Sequence, residues 1–365
     1  MNRLSTPIPI DRTHGGNPPE NCIDFSTSLN PLGPPVEALR AYHDAIGRIS
    51  QYPSPYPHRL ENRIAAWLDV DPAMVIAANG STQLLYLVAR VLRLRSPFVV
   101  IPTFSEIANA LRAAGAAPFP IFLRSEDQFR LKFAELCAAL EAGADGVFLG
   151  RPNSPTGTLL GLEETAAIAR QCARCNAWCV IDEAFIEFAD DPRSVCSLIG
   201  SIPKLLLLRS LTKIFAIPGL RLGYLLGPPD VVGKLREAVE PWSVNAVAEH
   251  VALACLDVAE PFIARTRALI AEERRILEDE LRCRFGIKVF PSSANFLMFS
   301  IAREKVRGEF GCWMRNRGIA IRDLAALPGC GPGLYRIAVR SRSDNALLLN
   351  AAANYFLETS IDGPV

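Results

Sequence analysis

Hydrophobic positions fall into two alternating patterns along the middle of the chain. Between about residues 75 and 227, short apolar runs typical of buried strands alternate with segments whose apolar residues recur at helical spacing. The strand-like runs cover residues 97–102, 146–150, 177–182, 204–210 and 222–227. Because strands that alternate with helices form parallel sheets covered by those helices, this region predicts an α/β domain built on a largely parallel sheet.

The rest of the chain shows other patterns. Residues 246–285 predict two helices, broken near Pro261, with charged residues on a solvated face. Strand-like pieces mixed with helical segments follow, which predicts a smaller α+β domain. These pieces lie at 287–290, 294–300 and 334–340.

The first 57 residues are rich in proline and predict an extended segment that wraps across a domain or subunit boundary. At 365 residues the chain is longer than one hydrophobic core usually serves, so two domains are expected. We expect an N-terminal arm at 1–35 that joins the small domain, a large domain at 36–258 and a small C-terminal domain at 259–365.

Composition excludes several classes of protein. The 39 basic and 38 acidic residues give a net charge of +1 with no block of like charges, which disfavours nucleic-acid binding. No apolar run approaches the roughly 18 residues that a membrane span needs, and the first residues lack a signal-peptide core, so a cytoplasmic protein without membrane contact is expected. The ten cysteines are scattered, which favours reduced thiols over disulfides. Cys172, Cys175 and Cys179 have ligand-like spacing but no second ligand pair, so no metal site is predicted.

Polar residues that follow predicted strands mark the candidate site, because ligands of open α/β sheets bind beyond the carboxyl ends of the strands. Asn153 lies just after one strand-like run, Asp182 ends the next, and Ser210 ends a third, with Lys213 three residues later. A fourth run precedes Gly80, Ser81 and Thr82, which open a helical segment. All of these residues could converge on one crevice.

Each of these signals also has an ordinary structural explanation. Gly80-Ser81-Thr82 could seat a phosphate at a helix N-terminus or simply cap that helix. Asp182 could be a structural carboxylate or the partner of a buried cation, and Lys213 could be a surface lysine or an amine with a lowered pKa. Lys213 is one of only six lysines, so lysine chemistry has few candidates. Together, the phosphate seat, carboxylate, asparagine and lysine describe a site for pyridoxal phosphate.

Three segments carry a resemblance to a known family. SLTKIFAIPGLRLGY at 210–224, NSPTG at 153–157 and DEAFIEF at 182–188 resemble the class I/II aminotransferases, in matching order over nearly the whole chain. The resemblance implies the type I fold of pyridoxal-phosphate-dependent transferases. In that fold a mostly parallel, mixed seven-stranded sheet is flanked by helices and joined by a smaller α+β domain.

The same resemblance implies roles for individual residues. Lys213 would bind the cofactor as a Schiff base and move the Cα proton, Asp182 would keep the ring nitrogen protonated, and Asn153 would contact the ring hydroxyl. The cofactor phosphate would be bound by Gly80, Ser81, Thr82, Ser210 and Arg221, and by Tyr52 of the neighbouring subunit in a homodimer. Arg336 would bind the substrate carboxylate, with His14, Ser28, Asn30 and Arg322 as further substrate contacts.

Other segments point to a subfamily. HGGN at 14–17, DFSTSLNPLGPP at 24–35 and PWSVNA at 241–246 resemble enzymes that decarboxylate L-threonine O-3-phosphate for cobalamin biosynthesis. Histidinol-phosphate aminotransferases are the nearest relatives and usually read DEAY where this chain has DEAF. Decarboxylation of this phosphorylated amino acid is therefore expected. Transamination of histidinol phosphate or a related amino acid with 2-oxoglutarate is the alternative, and cofactor binding without turnover is a third hypothesis.

Three positions depart from the family pattern. The position that aligns with the aromatic residue over the cofactor ring is Ile107, so aliphatic contact would replace ring stacking unless Phe104 takes that role. Ser28 stands where the decarboxylases often have asparagine. Arg151 replaces the first asparagine of the usual NPN loop.

Overall fold

The computed structural model describes residues 6–301 and 309–361. Its helices are Val36–Asp44 (α1), His58–Leu68 (α2), Ser81–Leu92 (α3), Glu106–Ala113 (α4), Phe133–Glu141 (α5), Leu162–Arg174 (α6), Leu211–Ile214 (α7), Pro229–Ala238 (α8), Ala246–Asp257 (α9), Ala259–Phe285 (α10), Phe310–Asn316 (α11) and Arg342–Ile361 (α12). Its strands are Ile23–Asp24 (β1), Val75–Ala78 (β2), Pro97–Ile101 (β3), Phe119–Phe122 (β4), Gly146–Gly150 (β5), Trp178–Asp182 (β6), Leu205–Ser210 (β7), Gly223–Leu226 (β8), Lys288–Val289 (β9), Phe296–Ser300 (β10), Ile319–Ala320 (β11), Arg322–Asp323 (β12) and Leu334–Ala338 (β13).

A seven-stranded sheet forms the largest layer, in the order β2-β8-β7-β6-β5-β3-β4. Within it β8 runs antiparallel to both of its neighbours, and the other pairs are parallel. Its residues alternate between two apolar cores: Leu205 and Leu207 pack on one face, and Leu206 and Leu208 on the other. Helices cover both faces, which is why the strands read as continuous apolar runs. The predicted fold class is confirmed.

The sheet reproduces the five predicted strand runs with small shifts at their ends. It also contains β4, which the apolar pattern did not single out. β4 is only four residues long, reads Phe-Pro-Ile-Phe, and lies at the edge of the sheet, where proline is tolerated.

One expectation about helices was wrong, whereas the two helices expected at 246–285 with a break near Pro261 are confirmed. The proline-rich first 57 residues are not extended throughout, because they contain α1, which starts directly after Pro35 and buries Ala38 and Ala41. Proline is compatible with a helix start, so these prolines mark where the helix begins. The break between α9 and α10 lies at Val258, and Pro261 lies in the first turn of α10, where its missing N–H leaves no intrahelical bond unmade.

A smaller four-stranded antiparallel sheet, β12-β13-β10-β9, packs against α10, which in turn packs against α12. The N-terminal arm joins this region because β1 pairs in parallel with β11. The expected division at 35/36 and 258/259 stays a prediction, and its second boundary falls at the junction between α9 and α10.

The described residues contain no helix long and apolar enough to cross a bilayer, and no cluster of three or more His, Cys, Asp and Glu side chains arranged to hold a metal. All ten cysteines are free.

The departure at Arg151 has a structural explanation. Its fully buried guanidinium donates to Glu183 Oε1 at 2.7 Å and to the carbonyl of Leu160 at 2.9 Å. Glu183 also faces Arg209 at 3.4 Å, and Arg209 pairs with Glu187 at 2.6 Å. These four alternating charges, the buried ion chain, lie directly behind the carboxyl ends of β5, β6 and β7.

Replacing Arg151 should therefore destabilise the fold. Arg151→Met leaves the buried Glu183 carboxylate with a weaker cationic partner, and we expect a loss of about 3–5 kcal/mol in the free energy of unfolding. Urea denaturation measures it. Arg275→Met is the matched control, because its pair with Asp279 is exposed and contributes less than about 1 kcal/mol. A loss no larger than that of the control would contradict the structural role.

Candidate active site

One cavity of about 620 Å³ lies beyond the carboxyl ends of the parallel strands. The strand register places these ends side by side, with Gly150 opposite Asp182 and Asp182 opposite Leu208. Residues from the part of the chain that carries the seven-stranded sheet, here called the large sheet region, line the cavity with polar and aromatic side chains: Ser81, Thr82, Phe104, Glu106, Ser154, Asp182, Phe185, Thr212, Lys213 and Arg221. The arm adds Thr13, His14, Asp24, Ser26 and Ser28, and the C-terminal region adds Arg322 and Arg336.

Lys213 lies on α7, the single helical turn that follows β7. Its Nζ is 3.4 Å from Ser210 Oγ and 3.5 Å from Thr212 Oγ1, and 5.6 Å from the ring centroid of Phe185. Burial lowers the pKa of Lys213 from its ordinary value, and the nearby Arg221 adds to this effect, whereas Asp182 opposes it. The site therefore favours a neutral amine that can act as a nucleophile and a proton acceptor.

Asp182 ends β6 and points into the same cavity. Burial raises the pKa of its carboxyl, while the charge of Lys213 and the Ala184 N–H, which donates to Oδ1 at 3.0 Å, oppose the rise. A carboxylate desolvated in this way pairs strongly with a cation that enters the cavity.

The predicted phosphate seat lies at the N-terminus of α3, where Ser81 and Thr82 face the cavity beside Arg221. Gly80 has a φ of +85°, and a Cβ at this position would lie 2.7 Å from an Arg221 guanidinium nitrogen. A Cβ on Gly223 would lie 2.3 Å from the Ser81 backbone nitrogen. Both glycines therefore allow the guanidinium group and the helix N-terminus to converge on one anion.

Ser210 and Asn153 lie behind the cavity wall. The Ser210 hydroxyl is buried and pairs with Thr212 Oγ1 at 2.7 Å, so Thr212 faces the cavity in its place. The Asn153 amide nitrogen donates to the Pro102 carbonyl at 2.8 Å and to Thr156 Oγ1 at 2.9 Å. Its contact with a ring hydroxyl stays a prediction.

Arg336 reaches the cavity from β13 of the smaller sheet. Its Nη1 donates to Ser154 Oγ at 2.8 Å and its Nη2 to the carbonyl of Ser26 at 2.7 Å. Nε is buried and has no hydrogen-bond partner among the described residues. Burial lowers the pKa of Arg336 to about 10, a shift to which the charge of Arg322 contributes, so the group is charged at neutral pH and incompletely paired.

The predicted substrate contacts divide into two groups. His14, Ser28 and Arg322 line the cavity; His14 Nε2 lies 3.2 Å from Glu106 Oε1, and Arg322 donates to the Thr13 hydroxyl at 3.1 Å. The Ser28 hydroxyl is buried there and has no hydrogen-bond partner in the described part of the chain.

Asn30 does not reach the cavity lining. Its amide donates to the Ile214 carbonyl at 2.8 Å and to Thr266 at 2.7 Å, and its backbone N–H donates to the Lys213 carbonyl at 3.1 Å. It supports the turn that carries Lys213.

Phe104 lines the cavity, whereas Ile107 is buried in the core between helices and only 2% exposed. Of the two positions considered for contact with the cofactor ring, only Phe104 lines the cavity, and Ile107 is not in contact with it. Tyr52 is 87% exposed and contacts Trp242 instead of its own chain's cavity.

The lining also includes residues that were not among the predicted site residues, of which Ser154, Phe185, Thr212 and Glu106 matter most for the chemistry of the site. The first three lie within the motif segments that were recognised, one to three residues from a predicted site residue. No motif or strand-end position in the sequence indicated that Glu106 would line the cavity. Glu106 accepts hydrogen bonds from Tyr86 at 2.7 Å and Asn109 at 2.9 Å.

The arrangement fits pyridoxal 5′-phosphate. A Cβ on Gly80 or Gly223 would collide with Arg221 or with the Ser81 backbone, so both glycines permit the close approach of the two anion-binding groups, and an amine and a carboxylate line the same cavity. Ser81, Thr82 and Arg221 could hold its phosphate, Lys213 its aldehyde and Asp182 its ring nitrogen.

Comparisons with known proteins agree with this geometry. A model of the family described as aminotransferase class I and II matches residues 20–353. The threonine-phosphate decarboxylase of Salmonella typhimurium is 34% identical and covers 94% of this chain and 97% of its own length. The bifunctional adenosylcobalamin biosynthesis protein CobDQ of Leptospira interrogans is 29% identical over 96% of this chain, a match that spans 41% of that protein. The crystal structure of the histidinol-phosphate aminotransferase from Clostridium acetobutylicum superimposes with a TM-score of 0.84 at 25% identity, covering 92% of this chain and 99% of that one.

The electrostatic coupling between Asp182 and Lys213 can be measured on the protein without cofactor. Because the carboxylate favours the charged amine, Asp182→Asn should lower the pKa of Lys213 further. An amine-reactive label, quantified at Lys213 by mass spectrometry across a pH series, should then reach half-maximal rate at a lower pH than in the wild type. Labelling of Lys234, exposed on α8, should not differ between the two proteins. An unmoved or higher midpoint at Lys213 would contradict the coupling.

Proposed function

The chain belongs to the class I and II aminotransferase family, and on this basis we propose that it uses pyridoxal 5′-phosphate to decarboxylate L-threonine O-3-phosphate. The products are (R)-1-amino-2-propanol O-phosphate and CO2. The relatives named threonine-phosphate decarboxylase and adenosylcobalamin biosynthesis protein support this activity and a place in cobalamin biosynthesis.

One observation carries the proposal: the cavity holds three separate arginines in addition to Lys213. Arg221 accompanies the phosphate seat at the start of α3. Arg336 and Arg322 lie on the opposite, C-terminal side and belong to neighbouring strands, in which Arg322 pairs with Arg336 in the register. A cofactor phosphate at Arg221 leaves two cationic groups, which suit a substrate that carries both a carboxylate and a phosphate.

The residues act in distinct ways. When bound, pyridoxal 5′-phosphate supplies an electron-accepting ring that stabilises the electron pair left on Cα after a bond breaks. Asp182 would hold the ring nitrogen and keep it protonated, because its carboxyl is desolvated in the same cavity and pairs with a cation there. Arg336 binds the substrate carboxylate, and Arg322 and His14 bind its phosphate.

Lys213 controls the proton at Cα. When the bond to the carboxylate breaks, CO2 leaves without the bonding electrons, and Lys213 Nζ donates a proton to Cα. Because burial lowers the pKa of Lys213, its ammonium group releases this proton more readily than an ordinary lysine does. Phe104 and Phe185 supply apolar surface to the same cavity.

The alternative is transamination of histidinol phosphate or a related amino acid with 2-oxoglutarate. The similarity to a histidinol-phosphate aminotransferase structure favours it. The same residues serve either reaction: whichever Cα bond lies perpendicular to the ring breaks, so the orientation of the substrate carboxylate on Arg336 decides the outcome.

The proposed activity is tested by incubating the holoenzyme with L-threonine O-3-phosphate. We expect stoichiometric release of CO2 and aminopropanol phosphate, with no need for 2-oxoglutarate. Lys213→Ala should reduce this release by at least about 10²-fold, because the proton at Cα loses its donor. Absence of CO2, with glutamate formed from 2-oxoglutarate, would replace the proposal by the alternative.

We also propose that the enzyme is a homodimer in which Tyr52 contacts the phosphate of the partner's cofactor. Apolar side chains that lie exposed on α1 and the segment after it support this assembly: Val36, Leu39, Tyr42, Ile46 and Ile49 are 48–78% exposed. Tyr52 and Trp242 extend the same series. Exposed apolar residues that recur along one segment are typical of an interface between chains.

Tyr52→Phe tests this contact. Loss of a hydrogen bond to a charged phosphate should raise the Kd of the cofactor about tenfold, measured by reconstitution of the apoprotein, while sedimentation still shows a dimer. Tyr56→Phe, in the same segment, should leave the Kd unchanged. A monomer in sedimentation, or equal Kd values for Tyr52→Phe and the wild type, would refute the proposed role.

A further inference from the structure

We propose that Ser154 determines which bond to Cα breaks, because its hydroxyl fixes the rotation of the Arg336 guanidinium group. This inference rests on the proposed function of the same cavity. Ser154 follows Asn153 in the loop after β5 and lines the cavity. It is the only side chain among the described residues that accepts a hydrogen bond from Arg336.

The guanidinium group is held from two sides. Ser154 Oγ accepts from Nη1 at 2.8 Å, and the Ser26 carbonyl accepts from Nη2 at 2.7 Å. These acceptors come from the large sheet region and from the arm, so together they fix the plane of the guanidinium group. If one of these two hydrogen bonds were lost, only the other would hold the guanidinium group, and its plane could rotate.

Two packed aromatic rings, those of Phe296 and Phe185, lie between the Arg336 guanidinium group and the Lys213 amine. The guanidinium carbon of Arg336 lies 5.2 Å from the Phe296 ring centroid, and Phe296 meets Phe185 edge-on at 5.1 Å. Lys213 Nζ lies 5.6 Å from the Phe185 ring. The separation between Arg336 and Lys213 is therefore set by packed rings, and the rotation of the guanidinium group is left to its hydrogen bonds.

The free donors of Arg336 define how a carboxylate can bind. A guanidinium group has five N–H donors, of which Ser154 and Ser26 use one each. Within residues 6–301 and 309–361 the buried Nε has no partner, and each terminal nitrogen keeps one N–H. A carboxylate bound bidentately to two of these three donors takes the orientation of the guanidinium plane, and the bond from Cα to the carboxylate follows it. With the Ser154 hydroxyl removed, Nη1 offers both of its N–H groups, and a second orientation becomes available.

Two cleavages at Cα compete, and each has its own product. If the bond to the carboxylate breaks, CO2 leaves and Lys213 supplies a proton to Cα. If the bond to hydrogen breaks, Lys213 takes the proton, exchanges it with solvent and returns a solvent proton to Cα. The second path regenerates the substrate, which carries deuterium at Cα when the solvent is D2O.

The test measures the ratio of these two products for the holoenzyme with L-threonine O-3-phosphate in D2O. For Ser154→Ala we expect the ratio of CO2 released to deuterated substrate recovered to fall about tenfold or more, the effect of losing one hydrogen bond to a charged group. Ser154→Thr, which keeps the hydroxyl, should restore the wild-type ratio within about threefold. A ratio unchanged in Ser154→Ala, even with a slower rate or a higher KM, would overturn the inference.

Two comparisons separate this result from other causes. Ser105→Ala removes a hydroxyl from another part of the cavity lining, and should keep the wild-type ratio. Equal unfolding midpoints for Ser154→Ala and the wild type would exclude loss of fold as the cause.

If the wild type exchanges the Cα proton without releasing CO2, the proposed function fails. The inference then predicts that Ser154→Ala begins to release CO2, and continued exchange without release would overturn it.

Discussion

The parallel register of β5, β6 and β7 is the constraint on which the rest of the site depends. Because Gly150, Asp182 and Leu208 are paired across these strands, the loops that follow them start at one edge of the sheet. The strands are buried on both faces and cannot slip without moving apolar side chains out of their cores. The buried ion chain behind that edge fixes the same three loops from below, since Arg151, Glu183 and Arg209 follow or end these strands in turn.

Much of this arrangement could be predicted from sequence, because it depends on local signals. Asp182 ends a continuous apolar run and Lys213 follows another. A polar residue at the end of a buried strand lies at the carboxyl edge of the sheet, where ligands bind. The helix α1 was missed because prolines dominated its surroundings, although Ala38 and Ala41 supply a buried face. Ser154 and Thr212 could not be singled out, because serine and threonine are ordinary loop residues and their importance arises only from contacts with Arg336 and Lys213. Asn30 was assigned to substrate for its motif, but its hydrogen bonds go to residues 184 and 236 positions away along the chain.

Arginine side chains supply most of the positive charge of the protein. All but six of the 39 basic residues are arginines, and the buried ones serve two different purposes. Arg151 and Arg209 are neutralised by glutamates and stabilise the loops. Arg336 lines the cavity and pairs with no carboxylate among the described residues, which makes it ready to bind an anion. The planar, permanently charged guanidinium group suits both tasks, whereas a lysine in either place could lose its proton, as the burial of Lys213 favours.

The contacts of Arg336 also bear on how the protein is made. Its two hydrogen bonds join residues that lie 182 and 310 positions earlier in the chain. During synthesis on the ribosome, the seven strands of the large sheet and the phosphate seat are complete before β13 emerges. A nascent chain can therefore contain every residue of the proposed cofactor site while it still lacks Arg336, the proposed carboxylate ligand. If Arg336 directs the reaction as proposed, reaction specificity is acquired after the cofactor site, and chains that end before β13 would lack the group that directs it.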